Sequence, residues 1–118
     1  MKVLTDSVVF KEEEALFLSR GGLARVATVS PDGSPHVVPV AFEFDGQHIY
    51  FSGWNLARTL KFQNLERNPS VAIVVDDVIS VSPWRVRGVE IRGIAELLAQ
   101  DGHPYVRIKP MMKVSWGL

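Results

Sequence analysis

Hydrophobic and polar positions are patterned most clearly between Leu23 and Phe44. Two β-branched, apolar runs flank Pro31-Asp32-Gly33, a triplet typical of turns because proline presets one backbone angle and glycine accepts a positive φ. The pattern predicts a β-hairpin. Arg25 and His36 are the only strongly polar residues of its arms before Glu43. Both faces of the hairpin therefore need cover, from a closed barrel, a helix or a second subunit.

The rest of the pattern predicts two short helices and four more strands. The helices are expected at 10–20 and 56–67, and the strands at 47–52, 70–81, 88–99 and 105–116. Asn55 is the expected N-cap of the second helix, which Asn68-Pro69 stops. Asp76-Asp77 is expected to bend or end the fourth strand, and Pro110 to mark a bulge or an edge in the sixth. Six closely spaced strands with two short helices predict a mainly β fold, a small antiparallel barrel.

The composition fits one globular domain spanning 1–118. Apolar residues make up 47% and charged residues 22%, and 13 acidic residues balance 13 basic ones. That balance argues against nucleic acid as a partner, because nucleic-acid binding needs clustered positive charge. The first ten residues include Asp6 and lack an apolar core, so neither a signal peptide nor a membrane span is predicted, and a cytoplasmic location is expected.

The sequence gives little indication of a metal site or of a catalytic nucleophile. There are no cysteines, and His36, His48 and His103 show no metal-binding spacing, so no metal is expected. Glu12, Glu13 and Glu14 point in different directions on a helix, which favours a solvated helix start over a metal site. His36 is interpreted as a packed or dimer-facing strand residue rather than a catalytic base.

An anion site is suggested where the third predicted strand gives way to the second helix. The first turn of a helix has free N–H groups, and Arg58 and Lys61, three residues apart, would share one face of it. Ser52 and Thr59 add hydroxyl donors, and together these groups suit a phosphate. The alternative is an ordinary helix start with two solvated cations.

Three tryptophans lie beside loops or a chain end: Trp54, Trp84 and Trp116. Such residues seal a barrel end or a dimer seam, and they also provide flat walls for a planar ring system. The sequence leaves both readings open.

Taken in order, several segments resemble the pyridoxamine 5′-phosphate oxidase-like split β-barrel proteins, and 83–96 and 114–117 are similar to the branch labelled as dependent on the deazaflavin coenzyme F-420. The similar segments are 24–40, 50–52, 58–69, 71–75, 83–96 and 114–117. The resemblance implies a split barrel that binds FMN or coenzyme F-420 at a homodimer interface. It implies that Ser52, Thr59 and Lys61 bind the cofactor phosphate, with Arg58 in place of a family arginine. The backbone of Val38, Pro39 and Val40 would lie along the cofactor ring. Trp116 would contact the cofactor of the other subunit.

The chain departs from the pattern of this family at three places. Where the family carries an arginine just before the phosphate-binding lysine, this chain has Leu60. Where the oxidase members carry an arginine and a lysine on the second strand, this chain has Val38, Pro39 and Glu43. Where many relatives have a helix before the last strand, residues 100–104 leave only a tight turn. The departures weaken the case for a pyridoxamine phosphate oxidase and favour the deazaflavin over FMN.

The function expected from the resemblance is hydride transfer between coenzyme F-420, or alternatively FMN, and an unsaturated small-molecule substrate in a homodimer. A second possibility is a barrel that only binds a flavin or haem without turnover. A third, a nucleic-acid-binding barrel, would have to use Arg85, Arg87 and Arg92, which Glu90 interrupts.

Overall fold

The structure is a computed structural model that describes residues 8–118, so the prediction that no signal peptide is present lies outside the described residues. Secondary structure covers most of this range. In chain order the elements are α1 (Glu12–Ser19), β1 (Gly22–Val29), β2 (Pro35–Phe44), β3 (Ile49–Phe51), a 3₁₀ turn (Leu56–Arg58), α2 (Leu60–Arg67), β4 (Ser70–Ser80), β5 (Arg85–Gln100) and β6 (His103–Trp116). No helix in residues 8–118 combines the length and the apolar character that a membrane crossing requires.

The six strands close into one barrel in the order β1-β2-β3-β6-β5-β4, and every neighbouring pair is antiparallel. The predicted mainly β, six-stranded antiparallel barrel with two short helices is confirmed. The β1–β2 hairpin closes through a hydrogen bond from the Ser30 N–H to the Ser34 carbonyl oxygen at 2.9 Å. Gly33 adopts a φ of 89° in this turn, which its lack of a Cβ permits.

The core fills the inside of the barrel with the inward-facing residues of all six strands. On β5 the predicted alternation is confirmed, since Val89, Ile91 and Ala95 are buried and Arg92 and Ile94 are exposed. The two helices add Phe17, Leu18, Phe62 and Leu65 to the same core. The outward face of the barrel keeps a series of exposed apolar side chains: Leu23, Val37, Ile94, Met112 and Val114.

Asp76-Asp77 was expected to bend or end the fourth strand, and the strand does not end there. β4 continues to Ser80 and pairs with the start of β5, which begins at Arg85 rather than at 88. Arginines on neighbouring strands compensate both carboxylates: Arg25 donates to Asp76 at 2.9 Å, and Arg87 donates two hydrogen bonds to Asp77 at 2.7 and 3.0 Å.

The predicted bulge at Pro110 is confirmed. Arg92 of β5 pairs with Met112 of β6, whereas the next residue, Gly93, pairs with Pro110, so one extra residue is inserted into β6. A Cβ at Gly93 would lie 2.1 Å from the carbonyl oxygen of Lys109, which shows how closely the two backbones approach there.

The three glutamates of α1 were expected to be solvated, and for Glu14 that prediction is wrong. Its side chain is buried, and its carboxylate accepts hydrogen bonds from Lys113 Nζ at 2.6 Å, Ser115 Oγ at 2.5 Å and the Lys11 backbone N–H at 2.8 Å. α1 turns Glu14 toward β6, while Glu12 and Glu13 stay exposed. Three consecutive glutamates in the sequence gave no indication that one of them pairs with a lysine on a strand distant in sequence.

Candidate functional site

The connection between β3 and α2 differs from the single helix predicted to start at Leu56. Residues 56–58 form one 3₁₀ turn, and α2 begins at Leu60. Asn55 was the predicted N-cap of α2, but it precedes the 3₁₀ turn in a left-handed conformation with φ of 58°, and its side chain forms no capping hydrogen bond. Thr59 is the N-cap instead. Its Oγ1 accepts a hydrogen bond from an N–H of the first helical turn at 3.4 Å and donates one to the Leu56 carbonyl oxygen at 2.6 Å.

This cap determines which groups remain free at the start of α2. Because the Thr59 hydroxyl is used within the chain, the donors left are the backbone N–H groups of Leu60 and Lys61, which have no partner inside an α-helix. Arg58 and Lys61 do not share one face of a helical turn, as had been predicted, because the backbone is extended at Thr59 between them.

Lys61 carries the most distinctive electrostatic feature of this connection. The side chain is half-buried, and desolvation lowers the pKa of its ammonium group. Among residues 8–118, no carboxylate lies within ion-pair distance of it and no hydrogen bond from its Nζ is formed. A bound anion would compensate this charge, and the adjacent free N–H groups would support the same anion.

The other predicted phosphate residues lie on the same connection. Ser52 directly follows β3 and is exposed, and Arg58 is exposed at the end of the 3₁₀ turn. Leu60, which occupies the position where the family has an arginine, is also exposed and offers no charge. The structure therefore brings Ser52, Arg58, Thr59 and Lys61 into one segment, with Thr59 already engaged as a cap.

The predicted ring-binding residues lie on an open edge of β2. β3 pairs with β2 only at Phe42, Glu43 and Phe44. Within residues 8–118, the preceding part of β2, including Val38, Pro39 and Val40, therefore has no partner strand on that side. Val40 is buried, Val38 is half-buried and Pro39 is exposed. The backbone groups of this edge, rather than the buried side chain of Val40, are what a planar heterocycle could contact.

Trp116 lies at the far end of β6 from the Ser52 segment. Its half-buried ring packs directly on the backbone of Gly88, where an added Cβ would come within 2.5 Å of the indole. Trp54 and Trp84 are 93% and 66% exposed, so in this chain they do not seal the barrel.

A broad groove of about 1040 Å³ opens on the outward face of β2, β3 and β6, beside the turn that joins β5 to β6. Its volume is at the upper end of the range for ligand pockets. Ser52 belongs to its lining, together with residues that sequence reasoning did not select: Glu43, Asp45, Tyr50, Asp101, His103 and Tyr105. Side chains alternate along a strand, so Tyr50 had to lie on the other face of β3 from the apolar Ile49 and Phe51. This alternation was the signal that could have placed Tyr50 in the groove.

The histidines and the arginines remain outside any reactive cluster. No group of three or more potential metal ligands occurs in residues 8–118. His36 is half-buried in β2 opposite Thr28, as a packed strand residue would be, and its Nδ1 is buried without a hydrogen-bond partner. Of the arginines considered for nucleic acid, Arg87 is paired with Asp77 and Arg92 with Glu90.

Comparison with known proteins gives one family. The family model described as pyridoxamine 5′-phosphate oxidase matches residues 10–115. The chain belongs to this family.

One relative by sequence similarity indicates an oxidoreductase. A 5a,11a-dehydrotetracycline/5a,11a-dehydrooxytetracycline reductase of Streptomyces rimosus is 40% identical over 119 residues, which cover 92% of this chain and 84% of that protein. The family match and this reductase support the assignment of the chain as a flavin-type oxidoreductase.

Solved structures of low sequence identity share the fold. A conserved hypothetical protein of Mycobacterium tuberculosis superposes with a TM-score of 0.79 at 23% identity, over 99% of this chain and 90% of the other. A structure described as an F420 reductase superposes with a TM-score of 0.73 at 23% identity, over 89% of this chain and 98% of the other.

Proposed function

We propose that the protein is a homodimeric reductase that transfers a hydride between coenzyme F-420 and an unsaturated, polycyclic small-molecule substrate. The observation that carries the proposal is the half-buried Lys61, which has no counter-charge within residues 8–118 and lies beside free backbone N–H groups. The substrate class follows the Streptomyces relative, whose name is that of a dehydrotetracycline reductase.

The residues present fit the phosphate of a flavin-type cofactor. Lys61 would supply the charge, the N–H groups at the start of α2 would supply directed donors, and Ser52 and Arg58 would close the site from the preceding loop. Thr59 would contribute by capping α2 and so fixing where those N–H groups point. The bound cofactor supplies the redox chemistry, and these residues bind and orient it.

The choice of the deazaflavin over FMN rests on the second strand. Val38 and Pro39 offer no charge to a flavin, and Glu43, where resemblance to the oxidases would call for a cation, is an exposed carboxylate on the outward face. The open edge of β2 leaves backbone donors and acceptors for the ring. These features favour a cofactor that is recognised mainly through its phosphate and the backbone.

The homodimer is proposed from the apolar surface of the barrel. Leu23 and Val37 on the β1–β2 hairpin are 62% and 64% exposed, and Met112 and Val114 on β6 are 47% and 46% exposed. Cover by a second copy would remove these apolar side chains from water, which is favourable. A second copy would also allow Trp116 to contact the partner's cofactor.

Cofactor titration tests the proposal directly. The purified protein is titrated with F-420 and, separately, with FMN while the cofactor absorption is followed, and its mass is measured by analytical ultracentrifugation. We expect a dimer that binds F-420 at micromolar concentration and, with reduced F-420, reduces the activated double bond of a polycyclic enone. A monomer that binds neither cofactor would contradict the proposal. Tight FMN binding would favour the FMN oxidoreductase, and binding without turnover would favour a carrier of flavin or haem.

A further inference from the structure

Two tyrosines form an aromatic wall in the groove, away from the proposed phosphate residues. Tyr50 of β3 and Tyr105 of β6 both line the groove, and their ring centroids lie 6.3 Å apart with the planes tilted by 39°. Residues adjacent to each in its strand, Phe51 and Val106, are buried, so both tyrosines point outward. Planar ring systems bind well against such faces.

The ring of Tyr50 is held in place from several sides. Its hydroxyl donates a hydrogen bond to Asp45 Oδ2 at 2.7 Å. Asp45 is itself fixed, since its Oδ1 accepts from the backbone N–H groups of Gln47 at 2.8 Å and His48 at 2.7 Å. The hydrogen bond to this carboxylate raises the pKa of Tyr50, so the phenol stays protonated and keeps its anchor. The wall is therefore formed before any ligand arrives, which lowers the entropic cost of binding.

The charges around this wall are mainly negative. Glu43 lies directly opposite Tyr50 in the β2–β3 register, is exposed, and makes no hydrogen bond or ion pair within residues 8–118. Asp45 and Asp101 also line the groove, where His103 is the one basic side chain among the described lining residues. Arg107 lies next to Tyr50, but its charge is matched by two hydrogen bonds to Glu96 at 2.8 and 3.1 Å.

An unpaired carboxylate beside two aromatic faces is the chemistry that recognises an organic cation, because the ring faces and the carboxylate attract the same positive charge. We propose that the Tyr50–Tyr105 wall is the substrate subsite of the groove, and that it binds a planar polycycle carrying a protonated amine, with Glu43 as the ionic partner. The proposal rests on the proposed function in treating this groove as the substrate side of the reductase.

Binding of two matched dyes to the cofactor-free protein tests the subsite. Proflavine is a planar tricyclic cation, and acridone is a neutral tricycle of similar shape; fluorescence anisotropy reports the binding of each. We expect proflavine to bind at least about fivefold more tightly than acridone. Glu43→Gln should remove about threefold of that preference. Tyr50→Leu should weaken both dyes, by about tenfold for proflavine, and Tyr50→Phe, which keeps the ring and loses the anchor, should lie in between.

Glu12→Gln is the matched control for the charge, because Glu12 is an exposed carboxylate on α1, away from the groove. Equal binding of both dyes, or dye affinities that the Tyr50 and Glu43 variants leave unchanged, would overturn the subsite. So would a change of oligomeric mass in Tyr50→Leu without any change in dye binding, because the wall would then be a contact between two copies.

The result of the dye-binding experiment can be distinguished from the result of the cofactor titration. If neither F-420 nor FMN binds while proflavine still requires Tyr50 and Glu43, the reductase proposal fails and the cation subsite stands. If F-420 binds and proflavine does not, the reductase stands and the subsite fails.

Discussion

Glu14 and Lys61 are both charges withdrawn from water, and the protein treats them in opposite ways. Glu14 is 1% exposed and meets an ammonium group, a hydroxyl and a backbone N–H of its own chain. Lys61 is half-buried and meets no counter-charge in the described part of the chain. A buried charge that is fully compensated internally serves the fold, whereas one left uncompensated indicates a partner from outside.

Replacing the compensated charge should have the largest effect on stability. Glu14→Gln keeps the size of the side chain but leaves the Lys113 ammonium, whose side chain is 19% exposed, without its counter-ion. We expect a loss of about 3 kcal/mol in the free energy of unfolding, measured by urea denaturation. Glu12→Gln in the same helical turn should stay within about 0.5 kcal/mol of the parent. Equal stability of the two variants would show that the buried pair contributes nothing.

The same variant should change the response to acid. Burial by itself raises the pKa of Glu14, but the hydrogen bonds from Lys113, Ser115 and the Lys11 N–H outweigh it and lower the pKa to about 2. A carboxyl whose pKa is depressed in the folded state stabilises above its unfolded value near 4.5, and this contribution is lost as the pH falls toward 2. The parent should lose about 3 kcal/mol more than Glu14→Gln between pH 5 and pH 2.

Replacing the uncompensated charge should act on ligand binding instead of folding. Lys61→Ala should weaken F-420 binding by about 1–3 kcal/mol, the usual scale for a charge-assisted hydrogen bond, and change the free energy of unfolding by less than about 0.5 kcal/mol. Arg67→Ala removes an exposed cation from the last turn of the same helix and should leave cofactor affinity unchanged. Equal losses of affinity in the two variants would mean that the phosphate is not bound at Lys61.

Thr59 lies beside the proposed phosphate site but acts within the fold, and replacing it should have the smallest effect of these variants. As an N-cap it stabilises α2 directly, so Thr59→Ala should lower the free energy of unfolding by about 1 kcal/mol, and Thr59→Ser should retain the cap. Cofactor affinity should fall less than in Lys61→Ala, because only the orientation of the helix start is affected. A loss of affinity as large as that of Lys61→Ala, with stability unchanged, would identify the hydroxyl as a phosphate ligand.

Local rules were sufficient where a residue's neighbours in sequence determine its conformation. Proline and glycine in the β1–β2 turn, alternation along β5, and proline in the middle of β6 all led to the observed structure, because turns, side-chain alternation and missing N–H donors are local properties. The start of α2 was misplaced for a local reason as well: Thr59 competes with Asn55 as a cap, and propensity alone does not rank two good caps.

Local rules did not predict contacts between residues that are far apart in the sequence. Asp76-Asp77 suggested a bend or an end, but Arg25 and Arg87 on neighbouring strands compensate the two charges. Glu14 was expected to be solvated, but it forms hydrogen bonds with Lys113 and Ser115 of β6. The same limitation hid the Tyr50–Tyr105 wall, because its two rings come from strands that are distant in sequence and adjacent only in the closed barrel.

The sequence by itself determined that this chain forms a small antiparallel barrel, because strand alternation and turn residues are local properties. The order of the segments in the sequence also indicated a flavin-type family. Only the tertiary structure decided which charges are paired and which are left for a ligand. The physical reason is that compensation of a buried charge depends on distance in space, and closing the barrel sets those distances.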